Sequence, residues 1–84
     1  LETLTVFPNP SSRELNLRIF TDYKGDVAIH VYDMSGKVRR THNIEKNSNL
    51  YKTRLDLQGL ESGIYMIEVL DNKGNRETKR VVKM

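Results

Sequence analysis

The chain has 84 residues, enough for one hydrophobic core and too few for two. Its 14 Lys and Arg against 11 Asp and Glu leave a net charge of +3, and 37% of residues are hydrophobic. That balance suits a small globular fold, excludes an extensively disordered chain, and leaves no apolar run near the ~20 residues of a membrane-crossing helix.

Apolar residues alternate with period two along the whole chain, the signature of half-buried strands. Seven strands are expected in chain order, at about 3–7, 14–20, 26–33, 37–44, 51–57, 63–70 and 76–83. The first stops at Phe7, because Pro8 and Pro10 remove two donors and push Phe7 and Asn9 toward extended conformations. Leu15, Leu17 and Ile19 then share one face of the second strand, and Val27, Ile29 and Val31 one face of the third. Leu55 and Leu57, Tyr65, Ile67 and Val69, and a closing Val81-Val82 carry the later strands. Short strands separated by turns every 8–12 residues predict a seven-stranded antiparallel immunoglobulin-like β-sandwich.

The punctuation repeats. Asp22-Tyr23-Lys24-Gly25, Asp33-Met34-Ser35-Gly36 and Asp71-Asn72-Lys73-Gly74 are three copies of D-x-x-G. Asp at the first position of a type I turn accepts backbone N–H groups, and Gly at the fourth takes the positive φ of the returning chain. Each copy is therefore expected to close a hairpin. Calcium loops are the functional alternative, but each turn offers a single carboxylate.

Residues that could carry chemistry are sparse. There is no cysteine, so neither disulfides nor thiolate chemistry is available. The only histidines are His30 and His42, on the two arms of the hairpin at 33–36. A three-residue loop would set His30 opposite Arg40 and diagonal to His42. A four-residue loop would set Val31 against Val38 and send the histidines to opposite faces. The second matches apolar with apolar and is preferred, leaving two ordinary strand histidines and no catalytic pair. No phosphate-binding glycine motif occurs, and basic residues are not interleaved with aromatics as nucleic-acid binding requires. No cofactor, metal, nucleic-acid partner or membrane insertion is expected, and no catalysis.

The charge is unevenly placed. Residues 1–75 carry ten basic and ten acidic side chains; Arg76, Lys79, Arg80 and Lys83 against Glu77 supply the whole +3. Such a strand reads either as an edge protected by cations or as a basic tail for an anionic partner. Its last two residues are expected to fray, as termini do.

The motifs line up in order with a known family. Val6-Phe7-Pro8-Asn9-Pro10 followed by Glu14-Leu15-Asn16-Leu17 resembles the opening of type IX secretion system C-terminal sorting domains of Bacteroidota. Residues 31–38, V-Y-D-M-S-G-K-V, are similar to the family's V-Y-D-x-x-G-[RK]-x hairpin. Leu55-Asp56-Leu57, Leu60 and Ser62-Gly63-Ile64-Tyr65 follow the family's L-x-x-L-P-x-G-x-Y, with Glu61 and Ser62 where it often carries proline. Residues 78–84 are similar to its K-x-V-V-K terminus.

The resemblance implies a single C-terminal sorting domain over 1–84, a fragment of a longer secreted protein, as the start at Leu1 also suggests. It implies passage through the periplasm, export through the type IX translocon across the outer membrane, and removal by a sortase-like peptidase with cell-surface attachment. The recognition residues it implies are Pro8, Asn9, Pro10, Asp33, Gly36, Gly63, Tyr65, Lys79, Val81, Val82 and Lys83. A different class of function for such a sandwich is an adhesive or carbohydrate-binding module, which would show planar aromatics on one face.

Overall fold

A computed structural model of the protein describes residues 3–84. Seven strands form two antiparallel sheets: β1 (Leu4–Phe7), β2 (Glu14–Phe20), β3 (Gly25–Tyr32), β4 (Val38–Lys46), β5 (Leu50–Asp56), β6 (Gly63–Asp71) and β7 (Arg76–Lys83). The sheet orders are β1-β2-β5 and β4-β3-β6-β7. The sandwich expected from the alternation is the fold observed. Its interior is the set of residues the period of two places on inner faces: Leu15, Leu17, Ile29, Val31, Ile67 and Val81 are all at most 1% exposed. Leu4, Leu55, Leu57, Leu60 and Tyr65 complete the packing. Side chains alternate strictly in strands, so a one-residue slip would turn this whole set outward.

Strand limits differ where polar residues hide the pattern. β4 runs two residues past the expected 44, because Lys46 continues the inward alternation of Ile44. β5 begins at Leu50, which pairs with Phe20. The 33–36 and 71–74 turns are hairpins as expected. Asp33 Oδ1 accepts the N–H groups of Ser35 and Lys37, and Asp71 Oδ1 those of Lys73 and Asn75. Gly36 sits at φ 87°, the left-handed region that favours glycine. The third copy is not a hairpin. β2 and β3 belong to different sheets, so 22–25 is a crossover between them.

The expected register of the β3–β4 hairpin is also corrected. Asp33 N–H bonds Lys37 O, Tyr32 faces Val38, and a bulge then adds Arg39 so that Val31 faces Arg40 rather than Val38. The bulge restores the same inward and outward phase that the expected Val31–Val38 match would have given. It returns β4 to a phase in which Ile44 points inward. The histidines do lie on opposite faces: His30 faces Thr41 outside, and His42 faces Ile29 inside.

The two crossovers at one end of the sandwich, 21–24 and 47–49, are joined by a buried cation. Lys46 is 1% exposed, and its Nζ donates to the carbonyls of Thr21 (2.7 Å), Tyr23 (3.1 Å) and Ser48 (2.6 Å). All three ammonium protons are used. Burial holds this group below the ordinary lysine range. Beside it the end of the sandwich opens into a cavity of about 580 Å³, lined in part by Leu4, Ile19, Phe20, Val27 and Val69.

Lys46→Met keeps the apolar stem and removes the three donors. It should lower the unfolding free energy by about 1.5–3 kcal/mol, the range for hydrogen bonds to a charged group. Urea denaturation checks this, and an unchanged midpoint would mean that the carbonyls are equally well served by water.

Candidate functional site

The motif residues are scattered over the sequence from position 8 to 83, yet antiparallel pairing brings most of them to the opposite end of the sandwich. The end of β1 meets the start of β2 (Phe7 with Asn16), and the end of β5 meets the same start (Asp56 with Glu14). In the other sheet the end of β3 meets the starts of β4 and β6, and the start of β6 meets the end of β7 (Gly63 with Lys83).

A hydrogen-bonded clip ties this pole together. The Asn9 side chain behaves like a piece of backbone: its Oδ1 accepts from Val82 N–H at 2.9 Å, and its Nδ2 donates to Arg80 O at 3.4 Å. Ser11 continues the pairing. Its N–H donates to Val82 O at 2.9 Å, and its carbonyl accepts from Met84 N–H at 2.8 Å. Ser11 and Lys83 thus form a parallel bridge beside the last strand. Flanking Asn9, the Phe7–Pro8 and Asn9–Pro10 peptide bonds are both cis. Ser11 Oγ turns back to donate to Glu14 O, anchoring the segment on β2.

The other expected site residues are placed as follows. Gly63 opens β6 at φ 156°, opposite Lys83. Tyr65 buries its ring against Val81, and its hydroxyl donates to Glu61 O at 2.6 Å, so it serves the turn before β6. Val81 points into the core and Val82 outward. Lys83 is buried along its stem, with Nζ on Met84 O. Asp33 and Gly36 shape the neighbouring hairpin tip. Lys79 lies further along β7, opposite Ile67, away from the clip. The terminal residues expected to fray are tied to the clip: Met84 N–H donates to Ser11 O, and the Lys83 stem is buried.

The clip covers only the last part of the β7 edge, which is an edge strand of its sheet. The basic stretch does not act as a uniform tail. Arg76 Nη1 reaches Glu68 Oε2 at 3.3 Å, while Lys83 turns inward.

Exposed large apolar side chains concentrate at the same pole. Phe7, Met34, Val38, Val82 and Met84 are all here, and Phe20 alone lies elsewhere among the described residues. Clustered exposed apolar groups mark interaction surfaces, whereas scattered ones need no account. Phe7 and Phe20 sit at opposite ends of their strands with Thr5 and Arg18 between them, and Tyr23, Tyr32 and Tyr51 are half-buried. Among the described residues these rings do not line up as a flat row on either sheet.

One polar constellation escaped the sequence reading. Glu68, on the outer face of β6, is 9% exposed, and its Oε1 receives His30 Nδ1 at 3.1 Å and Tyr32 Oη at 3.0 Å. Burial pushes the Glu68 carboxyl up, but the His30 and Tyr32 bonds and the Arg76 charge outweigh it and hold it below the usual range. The same bond raises the Tyr32 phenol above its ordinary value. The signal in the sequence was a lone acid within the apolar run of β6. His42 instead meets Thr53 across the two sheets, Nε2 to Oγ1 at 3.2 Å. Among the described residues no three His, Cys, Asp or Glu side chains stand close enough to hold a metal ion.

A family model described as the secretion system C-terminal sorting domain matches residues 5–84. The crystal structure of a DUF3244 family protein with an immunoglobulin-like β-sandwich fold, from Bacteroides vulgatus, superposes with a TM-score of 0.78 at 19% identity. The match covers 98% of this chain and 85% of that one, and at such identity the likeness is one of fold. A search of curated proteins gave no significant match.

Asn9→Ala removes both side-chain bonds to β7. Amide hydrogen exchange at Val82 should become roughly 2–12-fold faster, as follows from a net 0.5–1.5 kcal/mol per hydrogen bond. Unchanged exchange would mean that Asn9 does not hold the strand.

Asp33 gives a pH signature for the neighbouring hairpin. The Ser35 hydroxyl and the Lys37 N–H, with smaller contributions from the Ser35 N–H and Arg39, lower its carboxyl from 3.8 to about 2 and outweigh the opposing effect of burial. A folded pKa below the unfolded one gives stability that is complete above about 3.8 and is lost as the pH falls toward 2. Titration of the Asp33 carboxyl by NMR should give a midpoint near 2, and Asp33→Asn should remove this part of the acid sensitivity.

Proposed function

The chain belongs to the secretion system C-terminal sorting domains, which match it over residues 5–84, and on that basis we propose that this copy is read through the pole where its motif residues meet. A domain of this family acts as a type IX sorting signal and engages the type IX machinery, and its cargo goes to the cell surface or is secreted. The finer reading is ours. The domain is one sorting unit of a longer secreted protein. It passes through the periplasm, is recognised there by the translocon, and is then removed by a sortase-like peptidase as the cargo is attached to the surface.

One observation carries the reading: the hydrogen bond from Val82 N–H to Asn9 Oδ1, between residues 73 apart in sequence. The P-N-P segment and the terminal strand form one surface only when both sheets are assembled. A signal built this way reports folding as well as identity, since an unfolded chain presents the two motifs far apart. The domain works by being recognised and performs no reaction. Pro8, Asn9, Pro10 and Val82 compose the surface, and Lys83, turned inward, supports it from beneath. Gly63, Tyr65 and Val81 position β6 and β7 beneath it, Asp33 and Gly36 form its neighbouring tip, and Lys79 extends it along β7.

The test is a fusion of residues 1–84 to a fluorescent protein carrying an N-terminal signal peptide, expressed in a bacterium with the type IX system. The reporter should reach the medium or the cell surface. Deleting residues 79–84 should leave it in the periplasm. Retention of the intact fusion, while an established sorting domain is exported, would overturn the reading.

A further inference from the structure

The two outer faces of the sandwich differ in chemistry. On the three-stranded sheet the outward positions of β2 and β5 include Glu14, Arg18, Lys52, Arg54 and Asp56, a mixed-charge solvated face. On the four-stranded sheet, near the motif pole, one cross-strand row reads Val38, Tyr32, Met66, Arg80 over β4, β3, β6 and β7. The next row adds Ile64 and Val82. These six side chains form a contiguous surface across all four strands. Val38 is 42% exposed and Val82 36%, and the others are half-buried or exposed. Tyr, Met and Arg are the residues enriched where protein surfaces meet.

Charge says what kind of surface fits. Arg80 ends the apolar row, and its guanidinium has no ion pair or side-chain hydrogen bond among the described residues. The neighbouring cations behave otherwise: Arg39 is paired with Asp33 and Arg76 with Glu68. Lys37, exposed beside Val38, adds a second positive charge at the opposite rim. Among the described residues the acids beside the row are already engaged: Glu68 serves His30, Tyr32 and Arg76, and Asp33, next to Tyr32, serves Ser35, Lys37 and Arg39. A partner that covers the apolar row desolvates Arg80 and must supply a counter-charge, or the contact is lost.

We propose that this outer face docks a protein partner presenting an apolar ridge bordered by carboxylates. The inference rests on the sorting reading above and names the surface and the chemistry by which that reading is carried out. Because the row lies on the pleated face rather than on the strand edge, side chains make the contact while the clip stays closed.

The test uses the 84-residue reporter fusion with four variants. Arg80→Glu and Val82→Glu change the proposed face. Arg18→Glu makes the same charge change on the other face, and Arg80→Lys keeps the cation. Circular dichroism melting of each purified domain shows whether it is folded. Arg80→Glu and Val82→Glu should each lower export roughly tenfold or more, the effect of losing a central contact. Arg18→Glu and Arg80→Lys should export normally. Suppressors of Arg80→Glu selected in the host should include replacement of an acidic residue by Lys or Arg in a component of the machinery.

Normal export of folded Arg80→Glu, or equal loss with Arg18→Glu, overturns the proposal and leaves the sorting reading intact. If Arg80→Glu melts early, Arg80→Gln decides the same question without a new charge. An unmodified fusion that stays inside the cell removes the sorting reading and this inference with it.

Discussion

The pairing of residues 9–11 with the end of β7 is the constraint on which the motif pole depends. A sandwich of two sheets has open edges, and the last strand of a chain is held on one side only unless something is laid against the other. Here the Asn9 amide and the Ser11 backbone occupy that side. The loop that carries them leaves β1 in one sheet and lands on β7 in the other, so the same few bonds close the edge and join the sheets.

The two poles solve the same problem with different chemistry. At the motif pole, backbone and amide groups pair directly, and the Tyr65 hydroxyl completes the turn before β6. At the other pole, one ammonium gathers three carbonyls from two crossovers. Neither uses a disulfide, which the composition rules out. A core of Leu, Ile and Val with the Tyr65 ring supplies the nonspecific part of stability, and these polar joints select one arrangement of the loops. Among the described residues no buried side-chain polar atom lacks a partner, which fits that division.

The surface is used unevenly. Five exposed apolar side chains and most of the motif positions share one pole, while the outer face of the three-stranded sheet carries mixed charge. A sorting domain must remain soluble in transit and still be recognised. In the reading proposed above, confining the exposed apolar groups to one pole, with cations beside them, meets both needs. The Glu68 network borders that surface and bonds both Tyr32, within the row, and His30 beside it.

Much of this protein was legible in one dimension. The period of two set which residues are inside, because alternate strand positions face opposite ways whatever the rest of the chain does. Turn positions at 33–36 and 71–74 were equally local, since Asp and Gly act within four residues. The family motifs were readable as strings. What the sequence could not disclose was relational. Whether 22–25 closes a hairpin or crosses between sheets depends on which strand lies beside β2, and that place belongs to β1 and β5. The bulge at Arg39 depends on the inward phase required of Ile44. Nothing local to Lys46 marks it for burial, since its three carbonyl partners come from two crossovers. Asn9 looked like a loop residue until the last strand arrived beside it. Each is a contact between segments remote in sequence, and long-range pairing of polar groups has no periodicity to announce it; only the closed sandwich brings those groups within hydrogen-bonding distance.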